Sequence, residues 1–326
     1  MNIRIKDICR FGKKSDIKAG EGNTKGKYMF FTSSIDKDKR IDKFDYDEEG
    51  IIMGTGGNAT LHYYSGKFAV STDCLVLLPN SSYKCKYLYY FFLHNIRVLE
   101  GGFRGAGLKH TSKSYIENIE LTKTHSLLEQ DKIISVLSNI DNTIVLQNKR
   151  LKLLNELTRS LFIEMFGDPI NNSKNLPTTK LIDVVMLQRG YDLPINERAH
   201  DGNIPVFGSN GILGYHNKSK VVGGGVITGR SGSIGSVYYT KEDYWPLNTS
   251  LFSVKLNGNN IVFIAYLLKF FDLSRFADGT GVPTLNRNII HDKQIINVIQ
   301  SEQNRFAEYV SSIDKSKFAS FSHLSA

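Results

Sequence analysis

The chain has 326 residues, with 41 Lys and Arg against 32 Asp and Glu, a net charge of +9. Hydrophobic residues make up 41% and charged residues 22%, enough apolar material for two cores, which excludes a disordered, collagenous or fibrous chain. The moderate basic excess favours a polyanionic partner, most simply nucleic acid.

The first residues, MNIRIKDICRFGKKSD, scatter charges and hold no apolar stretch, so they do not read as a signal peptide. Cys9, Cys74 and Cys85 form no CxxC pair, and the eight His show no HExxH spacing. Neither a disulfide framework nor a metal site is expected. The longest apolar run, Ile261 to Leu268, stops at Lys269, well short of the roughly 20 residues that cross a bilayer. A soluble, cytoplasmic protein is expected.

The glycine-rich stretches fail as nucleotide loops. Gly20 to Tyr28 has Glu21 where a phosphate loop needs glycine, and Tyr28 where it needs Ser or Thr. Gly54 to Ala59 fits GxGxxA, but TLHYYSGKFAVS follows and reads as strand, where that motif must open a helix. Gly229 to Gly235 is likewise followed by SVYYT. Both are predicted to be hairpins whose glycines allow close backbone approach. There is no GxSxG elbow, and the acidic-or-Asn, Pro-Pro, aromatic signature of aminomethyltransferases is absent. No catalytic residue is assigned.

An internal repeat organises the chain. GIIMGTGGN (Gly50 to Asn58) returns as GVITGRSGS (Gly225 to Ser233), about 175 residues on. In the same order and at nearly the same offset, KYMFFTSS matches NIPVFGSN, YLYYFFLH matches FIAYLLKF, and LLEQDKIISVLSNID matches QSEQNRFAEYVSSID. The reading is a tandem duplication of one mixed unit followed by one helix. Each unit carries short strand-like runs (IIMGTG, KFAVSTDCLVLL, VITGRSG, SVYYT) between turns, with helices expected at Tyr87 to Arg97 and Ile261 to Phe271.

The connecting segment differs in kind. Ser126 and Glu129 have capping-box spacing. From there Ile133, Leu137, Ile140, Ile144, Gln147, Leu151, Leu154, Thr158, Leu161 and Met165 step by fours and threes, the 3.5-residue period of a coiled-coil seam. Gly167 and Pro169 stop it. The second copy, with Phe306, Val310 and Ile313, is the expected partner, although it is shorter and its stripe continues as Phe318, Phe321 and Leu324 amid Ser and Ala. The expected fold is α+β: a first α/β unit at 1–126, a central helix at 127–167, a second unit at 168–299 and a distal helix at 300–326. The helices are expected to pair as an antiparallel coiled coil with pseudo-two-fold symmetry.

Two variable units, each followed by an EQ…ID helix (Glu129, Gln130, Ile140, Asp141; Glu302, Gln303, Ile313, Asp314), resemble the specificity subunits (HsdS) of type I restriction-modification systems. RLKLLNELTRSLFIEMFGDP (Arg150 to Pro169) resembles that family's central helix. Gly202 to Ser219, Gly229 to Phe252 and Gly279 to Ile290 resemble its target-recognition blocks. The resemblance implies a DNA-binding scaffold without catalytic activity of its own. Each target-recognition domain would read one half of a split, asymmetric double-stranded DNA site. The coil would dock two methyltransferase (HsdM) subunits carrying S-adenosylmethionine, with restriction translocase-nuclease (HsdR) subunits, ATP and Mg in a restricting complex. The chain itself would hold no cofactor. A type II specificity chain, whose partner fuses nuclease and methyltransferase, and a free-standing DNA-binding regulator remain open alternatives.

Candidate DNA contacts are basic, amide-bearing or aromatic residues in turn-like contexts. They are Lys13, Lys14, Arg104, Lys109 and His110 in the first unit, and Arg189, Tyr191, Lys218, Lys220, Arg230 and Arg287 in the second. Arg suits bidentate guanine contacts and Lys suits phosphates. Arg104 and Arg230, with glycine neighbours, are the leading candidates.

Overall fold

The computed structural model describes residues 3–107, 109–121, 123–199, 201–279 and 283–322. Leu324 of the distal stripe and residues 280–282 of the last recognition block lie outside them, as do the side chains at 318–322. The chain divides into two compact units, Met1–Val145 and Leu146–Ala326, so the boundary falls inside the central helix.

Unit 1 is built on one six-stranded sheet. Its strands are β1 (Cys9–Phe11), β2 (Tyr28–Phe31), β3 (Arg40–Ile41), β4 (Tyr46–Gly54), β5 (Leu61–Val70) and β6 (Cys74–Pro79), in the order β1-β6-β4-β5-β2-β3. Only β2 and β5 run parallel. The run KFAVSTDCLVLL is broken between Val70 and Cys74 into two strands. Side chains alternate across the sheet: Ile51, Met53 and Leu77 join one apolar cluster, while Ile52, Val76 and Leu78 join another. Burial on both faces is why IIMG reads as a continuous apolar run rather than an alternating one. Helix α1 (Cys85–His94) covers the first face through Leu88 and Phe92.

Helix α2 (Leu127–Phe166) has 40 residues, about 60 Å at 1.5 Å per residue. It starts as expected: Ser126 N donates to Glu129 Oε2 at 2.8 Å, and Glu129 N donates to Ser126 Oγ at 3.4 Å. These bonds hold the exposed Glu129 carboxyl below its usual range. Gly167, at φ 75°, ends the helix in the left-handed conformation that glycine supplies.

Unit 2 repeats the plan. Its two larger sheets are built from β7 (Met186–Arg189), β8 (Ile204–Gly208), β9 (Gly211–His216), β10 (Gly225–Gly229), β11 (Val237–Thr240), β12 (Trp245–Pro246) and β13 (Ser250–Lys255). They form a four-stranded sheet, β7-β13-β10-β11, and a three-stranded sheet, β9-β8-β12. Helix α3 (Ile261–Phe271) buries seven of its residues, as a helix apolar all round must. Asn260 caps it, its Oδ1 accepting from Val262 N at 2.9 Å. A one-turn helix α4 (Arg287–His291) precedes the distal helix α5 (Gln300–Ser322), which has 23 residues. The end of α2 belongs to this core: Phe162 and Phe166 pack with Phe263 and Phe306.

The EQ…ID residues are where each helix is fastened to its unit. Gln130 is fully buried; its Oε1 accepts from Lys84 N at 2.8 Å, and its Nε2 donates to Ser82 O at 3.1 Å and His125 O at 2.9 Å. Gln303 does the same in unit 2, accepting from Asn260 N at 2.8 Å and donating to Asn259 Oδ1 at 2.6 Å and Val298 O at 2.7 Å. The Asp that closes each motif accepts a tyrosine hydroxyl: Tyr90 to Asp141 at 2.7 Å, and Tyr239 to Asp314 at 3.3 Å. Both tyrosines are pushed up to about 12, chiefly by burial, and so stay donors.

Along α2 the seam is covered at its two ends. Ile133 packs on the unit 1 core, and Leu161 and Met165 on the unit 2 core. Leu137, Leu151 and Leu154 are half-buried, whereas Ile140 and Ile144 are exposed. On α5, Phe306 and Val310 are buried and Ile313 is half-buried.

Candidate nucleic-acid interface

The hairpin turns predicted from the two glycine motifs sit in one hydrogen-bond frame, present twice. In unit 1, Thr55 N donates to Asp73 O at 2.8 Å, Thr111 N donates to Thr55 O at 3.0 Å, and Gly56 bridges to His110. In unit 2, Arg230 N donates to Thr249 O at 2.9 Å, Leu285 N donates to Arg230 O at 2.8 Å, and Ser231 bridges to Thr284. A Cβ at Gly229 would overlap the Ser233 carbonyl, so only glycine admits this turn. The strand beside the frame is also in register. Gly54 lies opposite Cys74 and Gly229 opposite Ser250; on that count Phe11 and Leu187 face matching residues, Leu77 and Ser253. Lys13 and Arg189 therefore occupy the same place in the two units.

In unit 2 the frame brings together residues about 100 positions apart in sequence. An open cleft of about 620 Å³ is lined by Arg189, Tyr191, Arg230 and Arg287, all four of them expected contacts, together with Gln188 and Asp192. Arg189 ends β7, Arg230 follows β10, and Arg287 begins α4 behind the cap that Asn286 Oδ1 forms with Asn288 N at 3.0 Å. None of the three guanidinium groups has an ion-pair or side-chain hydrogen-bond partner among the described residues. Asp192 accepts a hydrogen bond from Asn248 Nδ2. Lys220 stands at the far side of Tyr191, its Nζ 5.5 Å from that ring and 5.1 Å from the Trp245 ring. Lys218 is exposed in the loop after β9 and does not line the cleft.

The cleft walls are tied by a histidine. Leu187 N on β7 donates to His291 Nε2 on α4 at 3.0 Å, so this ring works as the neutral acceptor. Burial, then the nearby Arg287, lowers its pKa, with Asp292 opposing. A depressed histidine pKa contributes stability that is complete above the unfolded value of about 6.5 and declines as pH falls through it. Unit 2 is therefore expected to lose thermal stability between pH 7 and 5.5. His291→Gln, which keeps an acceptor without the proton site, is expected to flatten that profile; an unchanged slope in the variant would discount His291 as its source.

In unit 1 the stretches around Arg104 and around Lys109 and His110 fold onto the glycine turn after β4. Arg104 and His110 exchange two backbone hydrogen bonds of 2.9 Å, and Gly57 N donates to Lys109 O at 2.9 Å. Arg104, Lys109 and His110 are all exposed there, with Arg104 Nη1 donating to Phe103 O at 3.2 Å. Lys13 and Lys14 are exposed in the crossing that follows β1, where Tyr46 Oη donates to Lys13 O at 2.6 Å. The sequence reading missed Gln188, Asp192 and the Trp245 support for Lys220; Gln188, directly before Arg189 in the repeat, was the one with a signal.

Among the described residues no group of His, Cys, Asp and Glu is placed to hold a metal ion, and no helix is long and apolar enough to cross a membrane. The MjaVIII type I restriction enzyme specificity subunit of Methanocaldococcus jannaschii is 24% identical over a 224-residue alignment that covers 61% of this chain and 52% of that protein. The EcoDI type I specificity subunit of Escherichia coli is 23% identical over 128 residues, 38% of this chain and 28% of that protein. The matches thus span about half and about a quarter of these curated relatives. A crystal structure of a type I restriction-modification system S subunit from M. genitalium has the same fold, with a TM-score of 0.77 and 17% identity over 100% of this chain and 92% of that one. The family model for the type I restriction modification DNA specificity domain matches residues 1–156 and 174–323, once on each copy of the repeat, and the chain belongs to that family.

Proposed function

We propose that this chain is the non-catalytic DNA-recognition subunit of a cytoplasmic type I restriction-modification complex, reading a bipartite, asymmetric duplex site with one unit on each half. The observation that carries this is the unit 2 cleft: three arginines share it without ion-pair partners among the described residues, on a backbone frame that unit 1 repeats with different side chains. Uncompensated guanidinium groups around an open cleft favour a phosphodiester ligand. Two copies of one frame suit two half-sites, and unlike side chains on them make the halves unlike. Methyltransferase subunits, which would bring S-adenosylmethionine, dock in this reading on the middle of α2, where Val136, Ile140, Ile144 and Val145 are exposed. A translocase-nuclease subunit with ATP and Mg completes a restricting complex.

The test is to express the chain with its methyltransferase partner in a host lacking adenine methylation and to map modified adenines in the host DNA. The expected result is an interrupted motif with unlike halves, lost when this chain is omitted. Unchanged methylation on omission would overturn the reading, and specific duplex binding without any methylation would point to the free-standing regulator.

A further inference from the structure

Beyond the assignment of one half-site to each unit, and resting on it, we propose that Arg230 reads a guanine in the unit 2 half-site while Arg189 and Arg287 hold the phosphates on either side. The hydrogen-bond order places Arg230 in the middle. Arg189 lies opposite Leu251 on β13, Gly229 lies opposite Ser250 on the same strand, and Leu285 N donates to Arg230 O on the other side. From β7 to the segment at Leu285 there are three strand spacings of about 4.8 Å, roughly 14 Å, which compares with a major groove about 12 Å wide. Arginines carried by main chains that far apart can reach the phosphates on either side of the groove, while the central one meets base edges.

Three further features single out Arg230. Its main chain is held on both sides, N to Thr249 O and O from Leu285 N, so little backbone freedom is lost on binding. The nearby Gly232 is exposed and carries no side chain, which lets a duplex come close. It is half-buried, whereas Arg189 and Arg287 are exposed at the rim. The planar guanidinium fork pairs with guanine O6 and N7, a match that no other base presents in the major groove. Unit 1 has no such reader at the equivalent place: Thr55 stands there, its hydroxyl donating to Asp73 O at 3.0 Å. Its counterpart of Arg287, Lys113, is paired with Glu117 at 3.6 Å.

The experiment uses the assembled complex and the motif mapped from its methylation. Each guanine of the motif is replaced in turn by 7-deazaguanine, which removes N7, and binding is measured for wild type, Arg230→Gln and Arg230→Lys. One guanine is expected at which the substitution weakens wild-type binding by roughly 5- to 150-fold, weakens Arg230→Gln no further, and costs Arg230→Lys less than it costs the wild type. The Lys variant keeps the charge and loses the fork, so it supplies the comparison if the Gln variant binds too weakly. A motif without guanine, or one in which every deaza substitution costs the variants as much as the wild type, overturns the assignment while leaving the specificity-subunit reading intact. Absence of any mapped motif would instead remove that reading.

Discussion

Phe306→Ala is expected to cost unit 2 about 3–5 kcal/mol. The ring is fully buried and lies 5.4 Å from Phe162, 5.7 Å from Phe166, 6.4 Å from Phe263 and 5.6 Å from Tyr266, centroid to centroid. Four rings in edge-to-face contact cannot collapse into the space it leaves, so the cavity term adds to the lost transfer energy. Phe306 is also the residue by which the distal helix holds the end of α2. Its loss should therefore free α5 before the rest of unit 2 unfolds. Urea titration followed by circular dichroism would measure the loss, and hydrogen exchange along α5 would localise it. A change below 1 kcal/mol would mean that the distal helix does not rest on this cluster.

Gln303→Leu and Gln130→Leu are expected to be nearly as damaging, at about 2–4 kcal/mol each, although they keep size and add apolar surface. Each substitution leaves a partly buried backbone N–H at the start of a domain helix without its acceptor, Asn260 N or Lys84 N. Each also strands one carbonyl, Val298 O or His125 O, at the entry to the following helix. The expected signature is local: amide exchange at Lys84 accelerates in Gln130→Leu and not in Gln303→Leu, and the reverse holds at Asn260. A neutral stability change would show that water replaces the glutamine, and the fastening role would fall.

The sequence announced local structure well, because the signals lie within a few residues of each other. The capping box at Ser126 and the glycine stop at Gly167 bound α2 as expected. The apolar run at Ile261 became the buried α3. The duplication was visible as matched blocks, and the twin hydrogen-bond frames at Thr55 and Arg230 give it a structural meaning. Heptad spacing, by contrast, says which residues share a face and not what covers it. Ile140 and Ile144 belong to the same stripe as Leu161, yet they are exposed. KFAVSTDCLVLL read as one strand because β-branched and apolar residues flank the turn on both sides. Candidate contacts could be named by type, but Arg189, Arg230 and Arg287 became one cleft, which Lys218 does not line, through pairings between distant segments. Gln130 and Gln303 carried a motif without an explanation, since a buried amide bracket has no periodicity to betray it.

The twin frames hold position 55 and position 230 by main-chain bonds that recur in both units, and the Thr55 hydroxyl adds one more to Asp73 O. A threonine fills one and an arginine the other, and the bonds around them have nearly the same lengths. A scaffold that grips a residue by its backbone leaves the side chain free to change without endangering the fold. Mutations that alter preference for a DNA sequence then arise at little risk of misfolding, so a lineage can drift from one target to another through folded intermediates.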